Sequence, residues 1–171
     1  MLPQMLPPEV LAFANAAVAG DAAALAAYHA FLQSYVFGGE GHLGRTLGIE
    51  VLLVARDAVT MRLPWRPEVR RMGDIFHGGA IMALGDHVAG CLFNTDPRVA
   101  VSGSTGLTTD FNVSFLRAAE LGEAVVGVGS VLRRGRHLTF MQIDVHGEHT
   151  SRTIATCRTT YLTVPLERVG T

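Results

Sequence analysis

The sequence has little cysteine. Only two cysteines occur among 171 residues, Cys91 and Cys157, and they lie far apart among apolar neighbours. Two such distant thiols provide no disulfide framework, and free cysteine in apolar surroundings usually behaves as a small buried residue. The sequence therefore predicts two buried free thiols and a reducing compartment.

Long apolar runs and an early positive charge are also missing. No apolar run reaches the roughly 18 residues that a membrane-spanning helix requires. The stretch ANAAVAG resembles a signal-peptide cleavage region, but no Lys or Arg precedes Arg45, whereas a signal peptide begins with positive charge. We therefore expect a cytoplasmic protein with no membrane partner.

The charge balance and the motifs exclude further classes. The formal net charge is −1, which lacks the basic excess that is typical of nucleic-acid-binding surfaces. The sequence also contains no P-loop, no serine-centred nucleophile elbow and no C-x-x-C pair. These absences predict no nucleic-acid partner, no metal site and no bound cofactor.

The sequence is instead rich in apolar residues. Hydrophobic residues make up 49% of the chain, and its length suits one domain. Such a composition predicts either a large core or an apolar face that a second copy of the chain covers. The sequence therefore favours a homodimer or a homotetramer.

The beginning of the chain is alanine-rich and reads as helix. Pro8 can start one helix, and Asp21, after a break at Gly20, can cap a second one. These signals predict helices over roughly residues 8–18 and 21–35.

A glycine-rich stretch, GGEGHLGRTLG, follows these helices and predicts a link. His29, on the second helix, is expected on the surface. We predict an N-terminal helical extension over residues 1–45 and a second unit over residues 46–171.

From residue 48 onward the sequence predicts strands around a single helix. IEVLLVARDAVTMRLPW predicts two strands joined at Arg56-Asp57, and residues 107–115 alternate with a period of two. Two further strands meet at Arg134-Gly135-Arg136, and TSRTIATCRTTYLTV adds a closing strand. One helix among antiparallel strands predicts an α+β fold, with the helix laid on one face of the sheet.

The helix predicted over residues 78–93 has two distinct faces. At about 100° per residue, one stripe should face the sheet: Ile81, Leu84, Gly85, Val88 and Leu92. The other face carries Gly79, Met82, Ala83, Asp86, Ala89 and Gly90. These residues are mostly small, so a second subunit or an extended ligand could approach closely there.

The start of this helix, His77-Gly78-Gly79, offers a site for negative charge. The first N–H groups of a helix have no internal acceptor, and glycine leaves them accessible to a developing oxyanion. Asp86 follows eight residues after Gly78. The rise of a helix puts them about 12 Å apart, too far to act on one carbonyl within one chain. A two-fold dimer could bring Gly78 of one chain against Asp86 of the other. The same residues are also compatible with a simpler interpretation, in which Asp86 is a solvent-facing helix residue and the two glycines form an ordinary tight turn.

The segment resembles a known family. His77-Gly78-Gly79 with Leu84 and Asp86 is similar to the H-G-G-x(4)-L-x-D signature of hotdog-fold acyl-CoA thioesterases of the PaaI-like type, found in phenylacetate degradation. TDFNVSFLRAA and the strands after it also resemble this family, so that the resemblance covers about residues 46–164. It implies a hotdog fold, in which an antiparallel sheet wraps around one long central helix, here with an N-terminal helical extension.

The resemblance also implies roles for individual residues. Asp86 matches the catalytic nucleophile or general base, the Gly78 N–H matches the donor that polarises the thioester carbonyl, and His77 shapes the turn or contacts that carbonyl. The family builds each such site across a dimer. On this basis we expect five residues to bind the substrate, and the four arginines among them would contact the phosphates of CoA. The five are Gly79, Arg117, Arg133, Arg134 and Arg136.

The sequence departs from the family at one place. Where the family usually carries Asn or Gln, six or seven residues before the histidine, this chain has Arg70 and Arg71. Two other functions stay open beside acyl-CoA hydrolysis. One is a non-catalytic hotdog module that binds acyl-CoA, and the other is a hotdog hydratase or dehydratase.

Overall fold

The computed structural model describes residues 6–35 and 42–169. Two helices open the chain at nearly the predicted positions, α1 (Pro8–Val18) and α2 (Ala22–Tyr35). Asp21 caps α2 as expected, because its Oδ1 accepts the N–H groups of Ala23 and Ala24 at 2.9 and 3.0 Å.

The predicted glycine-rich link is partly helical. Residues 36–41 lie outside the described residues, but the following segment forms a short helix, α3 (Leu43–Leu47). His42 caps it by accepting the Gly44 N–H on Nδ1 at 3.2 Å, and Gly48 ends it in a left-handed conformation with φ of 72°. The division into residues 1–45 and 46–171 stays a prediction, and α3 spans it.

The strands of the described residues are β1 (Glu50–Ala55), β2 (Ala58–Leu63), β3 (Arg70–Arg71), β4 (Ile75–Phe76), β5 (Ser104–Phe115), β6 (Val125–Arg134), β7 (Leu138–Gly147) and β8 (Thr153–Pro165). Six of them form one antiparallel sheet in the order β1-β2-β6-β7-β8-β5, and a short hairpin pairs β3 with β4. Strand β5 is therefore an edge of the sheet, whereas β6, β7 and β8 lie inside it.

One long helix, α4 (Gly78–Asn94), lies against this sheet. All five residues of the predicted stripe are buried, but the opposite face is only partly open, because Ala89, which the sequence assigns to it, is fully buried, whereas Met82 and Asp86 are exposed. Glycine in β6 lets the helix come close, since a Cβ on Gly129 would lie 2.5 Å from Val88 Cγ1. A long helix packed on an antiparallel sheet is the α+β arrangement that the sequence predicted and the hotdog fold that the family resemblance implied.

Helix α2 reaches the end of α4, and this contact overturns the prediction that His29 lies on the surface. His29 is only 8% exposed, and its Nε2 donates to the Thr95 carbonyl at 2.9 Å. The Tyr28 hydroxyl donates to the Asn94 carbonyl at 3.0 Å. Helix α1 packs against α5 (Pro97–Val101). The carbonyl groups that end a helix need donors from outside, and α2 supplies two of them.

The two thiols are buried and free, as predicted. Burial raises the pKa of Cys91 to about 12. For Cys157, burial together with the Asp144 carboxylate raises the pKa to about 11. Within residues 6–35 and 42–169, no helix combines the length and the apolar character needed to cross a membrane.

Candidate active site

The chain enters α4 through a fixed hairpin. Phe76, the last residue of β4, is 4% exposed and its ring packs edge-on against Trp65, with 5.1 Å between ring centroids. The next residue, His77, donates its N–H to the Val69 carbonyl at 2.8 Å. These contacts define where the first N–H groups of α4 point.

Arg70 and Arg71, which stand at the family's usual amide positions, form the other strand of this hairpin. Both are exposed. Arg70 forms an ion pair with Asp74 across the turn, with 2.6 Å between Nη1 and Oδ1. Asp74 thus balances an arginine charge in the turn rather than replacing the missing amide of the family.

His77 caps α4 and separates the two glycine N–H groups. Its backbone is extended, with φ of −68° and ψ of 131°, and its Nδ1 accepts the Gly79 N–H at 2.9 Å. The Gly79 N–H is therefore already engaged. Within the described part of the chain, no acceptor is found for the Gly78 N–H. A single open donor, with the positive end of the helix dipole behind it, remains for an anionic group.

Asp86 lies two turns further along α4 and is exposed. Its Oδ1 accepts two hydroxyl donors, Thr108 Oγ1 from β5 at 3.2 Å and the Tyr161 hydroxyl from β8 at 3.1 Å. Among residues 6–35 and 42–169, no donor is found for Oδ2. One carboxylate oxygen of this exposed side chain is thus held by two hydroxyl groups, while the other accepts no hydrogen bond from the described residues.

Sequence reasoning did not find Thr108 and Tyr161. The two residues are directly paired between β5 and β8, and this pairing brings both hydroxyl groups to the same carboxylate oxygen. Neither residue belongs to the His-Gly-Gly signature. Their shared position depends on which strands pair and in what register, which a single sequence does not reveal.

The four candidate arginines have different environments. Arg117, Arg133 and Arg136 are exposed, and within the described residues none of them forms an ion pair. Arg134 is partly buried at the end of α4, with a side chain 14% exposed. Its Nη1 donates to the Phe93 carbonyl at 3.0 Å, and its Nη2 donates to the Leu92 carbonyl at 2.8 Å.

The Arg134 guanidinium also donates through Nε to Asp57 Oδ1 at 2.8 Å. Its donors are therefore used to cap α4 and to join the helix to the turn between β1 and β2. This geometry assigns Arg134 to the fold, whereas the other three arginines keep their guanidinium groups accessible for an anion.

Replacing Arg134 with methionine should destabilise the protein. Arg134→Met keeps much of the apolar stem but removes the donors to the Phe93 carbonyl and to Asp57, and one of the donors to the Leu92 carbonyl, so we expect a loss of about 2–4 kcal/mol in unfolding free energy. Denaturant unfolding measures this loss. The matched control is Arg136→Met in the same turn, which should change stability by less than about 0.5 kcal/mol. Equal small effects would contradict the capping role.

A cavity of about 450 Å³ lies at this same end of α4, away from Asp86. It is lined by Phe93, Asp96, Arg98, Arg134 and Arg136, among others. Its arginine charge is partly neutralised, because Asp96 accepts Arg98 Nη2 at 2.5 Å. Within the described residues, no group of three or more His, Cys, Asp or Glu side chains is placed to hold a metal ion.

The structure therefore separates the two reactive features along one helix. Gly78 is the first residue of α4, and the eight residues to Asp86 correspond to about 12 Å of helix rise. A carbonyl bound at the Gly78 N–H is out of reach of Asp86 of the same chain. Each chain thus presents one open N–H group and one oriented carboxylate, separated by two turns of the same helix.

Known proteins are similar to this chain in sequence and in fold. Residues 73–154 match the model of the thioesterase superfamily. A predicted esterase from Deinococcus radiodurans is 32% identical over 122 residues, which cover 70% of this chain and 72% of that protein. Human acyl-coenzyme A thioesterase 13 is 31% identical over 84 residues, which cover 49% of this chain and 57% of the human protein.

A solved structure extends the similarity to most of the chain. Zebrafish thioesterase superfamily member 2 superposes with a TM-score of 0.67 at 26% identity, covering 81% of this chain and 97% of the zebrafish chain. The segment matched by the family model contains His77, Gly78, Asp86 and Thr108, whereas Tyr161 lies beyond it.

Proposed function

The chain belongs to the thioesterase superfamily and is a thioester hydrolase, and we propose that its substrates are acyl-CoA thioesters. The similarity to human acyl-coenzyme A thioesterase 13 supports this substrate class. The exposed guanidinium groups of Arg117, Arg133 and Arg136 could pair with the phosphates of CoA, since arginine binds phosphate strongly.

The observation that carries the catalytic proposal is the open Gly78 N–H together with the Asp86 carboxylate, of which only Oδ1 accepts hydrogen bonds from the described residues. In the proposed site, the Gly78 N–H of one subunit receives the thioester carbonyl oxygen and stabilises the oxyanion as it develops. His77 keeps this donor exposed by engaging the Gly79 N–H. The Asp86 carboxylate of the other subunit faces the carbonyl carbon.

Two routes fit this arrangement. In the first, Asp86 takes a proton from water, the water oxygen bonds to the carbonyl carbon, and the C–S bond breaks as the thiol leaves with that proton. In the second, an Asp86 oxygen itself bonds to the carbonyl carbon, the C–S bond breaks and CoA leaves as the thiolate, which takes a proton from water, and a further water then hydrolyses the acyl-Asp86 anhydride and restores the carboxylate. Both routes release a carboxylic acid and free CoA.

Assembly into a dimer is part of the proposal. Strand β5 leaves one edge of the sheet without a neighbouring strand in the described chain, and such an edge can pair with another copy. Exposed apolar side chains lie on β5 and on the accessible face of α4, namely Leu107, Phe115 and Met82. A two-fold partner would cover this surface and bring the two halves of the site together.

We therefore expect a homodimer or homotetramer in solution. Covering apolar side chains should make the association stable at micromolar concentration. Sedimentation velocity measures the mass directly, and a protein that stays monomeric at micromolar concentration yet hydrolyses thioesters would contradict the shared site. Cytoplasmic location likewise stays a prediction.

The substrate class is tested by thiol release from a panel of acyl-CoA thioesters. The same acyl groups are offered as N-acetylcysteamine thioesters, which have no phosphate groups. We expect turnover of at least one acyl-CoA, with a lower KM than its short analogue. If the protein binds acyl-CoA without releasing thiol, the alternative function, a non-catalytic acyl-CoA-binding module, takes the place of this proposal.

A further inference from the structure

Tyr161 reaches Asp86 from inside the sheet. It lies on β8, is 5% exposed, and its hydroxyl is 3.1 Å from Asp86 Oδ1 and 3.4 Å from the Asp86 backbone carbonyl oxygen. The carbonyl is already an acceptor in the helix, and the carboxylate contact is shorter. The single phenolic proton is therefore best placed on the carboxylate.

The ring of Tyr161 occupies a slot shaped by residues without large side chains. A Cβ on Gly106 would lie 2.7 Å from Tyr161 Cδ1, and a Cβ on Gly90 would lie 3.6 Å from its hydroxyl. Phe93 packs on the ring with 5.6 Å between centroids. These contacts fix the ring, so its hydroxyl stays at one place even when the exposed carboxylate moves.

The hydroxyl remains a donor throughout the working pH range. Burial, with the Asp86 carboxylate as a further cause, raises the pKa of Tyr161 above its ordinary value. The phenol therefore keeps its proton, and it has no reason to accept one from Asp86. Thr108 adds a second donor to the same Oδ1, but it is exposed on the edge strand, where a partner subunit or substrate can displace it.

We propose that Tyr161 is a positioning residue, which holds Oδ1 of Asp86 so that Oδ2 is presented to the thioester carbonyl. This inference rests on the proposed catalytic role of Asp86. The contact is made within one chain, so the carboxylate is oriented before a second subunit supplies the oxyanion donor. Tyr161 itself touches neither the substrate nor the reacting atoms.

This role predicts an effect on turnover and not on substrate binding. Misplacing a reacting group by about 1 Å can cost about 100-fold in rate. Tyr161→Phe keeps the ring in its slot and removes only the oxygen. We expect kcat to fall about 10- to 100-fold, the range for a lost hydrogen bond to a charged group, with KM changed less than about threefold.

The matched control is Thr159→Val on the same strand. Thr159 is 2% exposed and its hydroxyl donates to the Asp110 carbonyl at 2.7 Å, with no contact to Asp86. Both variants lose one buried hydroxyl, so both should melt slightly below the wild type, but only Tyr161→Phe should lose turnover. Equal losses of kcat would show a general packing effect and would overturn the inference.

A double-mutant cycle completes the test. In an Asp86→Asn background there is no reacting carboxylate to position, so adding Tyr161→Phe should lower the residual rate by less than about threefold. If Tyr161→Phe lowers the rate in the Asp86→Asn background by the same factor as in the wild type, the positioning role is wrong. Assays use the best thioester found in the panel, whether or not it is a CoA ester.

Assaying the best thioester, whether or not it contains CoA, separates the positioning role of Tyr161 from the proposed acyl-CoA substrate class. An enzyme that hydrolyses only short thioesters contradicts the CoA substrate class and leaves the Tyr161 cycle fully measurable. Wild-type kcat in Tyr161→Phe contradicts the positioning role alone. Wild-type kcat in Asp86→Asn, or no hydrolysis of any thioester, overturns both.

Discussion

Asp86→Asn should lower kcat on the best acyl-CoA by about 10²–10⁴-fold, the usual cost of losing a general base. A larger loss is expected if Asp86 is the nucleophile, because the covalent route then disappears altogether. Asparagine is nearly isosteric, and its side-chain oxygen can still accept the hydroxyl protons of Thr108 and Tyr161. It cannot take a proton from water at neutral pH. Thiol release under saturating substrate measures the change.

The fold and the binding of CoA should survive this substitution. Asp86 is exposed and lies outside the buried stripe of α4, so its replacement leaves the core intact. We expect an unchanged melting temperature within a few degrees and an unchanged Kd for CoA by calorimetry. Loss of turnover with retained binding would separate catalysis from the binding-module alternative.

The matched control is Asp144→Asn on β7. That carboxylate also accepts a hydroxyl donor, Thr156 Oγ1 at 2.7 Å, but it lies on another element, and its hydrogen-bond partners, Thr156 and Gln142, lie on the sheet and not on α4. The control removes the same charge, and its turnover should stay within about threefold of wild type. If Asp86→Asn keeps more than about a tenth of wild-type turnover, well outside the loss expected for a general base, its catalytic assignment is wrong.

The elements that carry these residues could be predicted from the sequence because their signals are local. The apolar stripe of α4 repeats at helical spacing, and every residue of it is buried. The turn at residues 56–57 lies where the sequence predicted it, and the turn between β6 and β7 lies at residues 135–137, one residue beyond the predicted 134–136. The helix start at His77 also follows from local rules, because a histidine side chain and two glycines leave one donor open there.

The contacts that β5 makes with α4 near Asp86 could not be predicted, because they depend on an irregularity in the strand. The alternation over residues 107–115 puts Thr108 and Phe111 on opposite faces of the strand, yet both contact α4: Thr108 at Asp86, and Phe111 beside Gly85. A register shift between Thr108 and Asp110 makes this possible. Such a bulge changes which residues face the helix and has no clear mark in the sequence.

Arg134 and His29 illustrate a second limit. Both are polar residues that a sequence pattern assigns to the surface, and both instead supply donors to the end of α4. Helix carbonyls that lack internal partners must be satisfied by whatever packs on the helix end. Which residue does so depends on tertiary placement, so composition near a turn did not distinguish a helix cap from a phosphate-binding arginine.

Gly78→Pro should lower kcat by about 10²–10³-fold, which is the cost of removing one oxyanion donor. Proline has no N–H, so it removes the one open donor that the start of α4 provides. The backbone tolerates it, since proline is favoured at the first position of a helix. The preceding residue, His77, already has the extended ψ of 131° that a residue before proline prefers.

The side chain introduced at position 78 needs its own control. A Cβ on Gly78 would lie 3.2 Å from Phe115 Cζ, so the exposed Phe115 ring must shift slightly in any variant. Gly78→Ala adds that same Cβ and keeps the N–H. We therefore expect Gly78→Ala to lose less than about tenfold and Gly78→Pro to lose the full donor contribution of about 10²–10³-fold. Equal losses in the two variants would assign the effect to crowding and would contradict the oxyanion role of the Gly78 N–H.

Co-expressing subunits that carry Gly78→Pro with subunits that carry Asp86→Asn extends the test, because a mixed dimer regains one intact site only if the donor and the carboxylate come from different chains. Partial recovery of turnover in the mixed sample is thus the expected result.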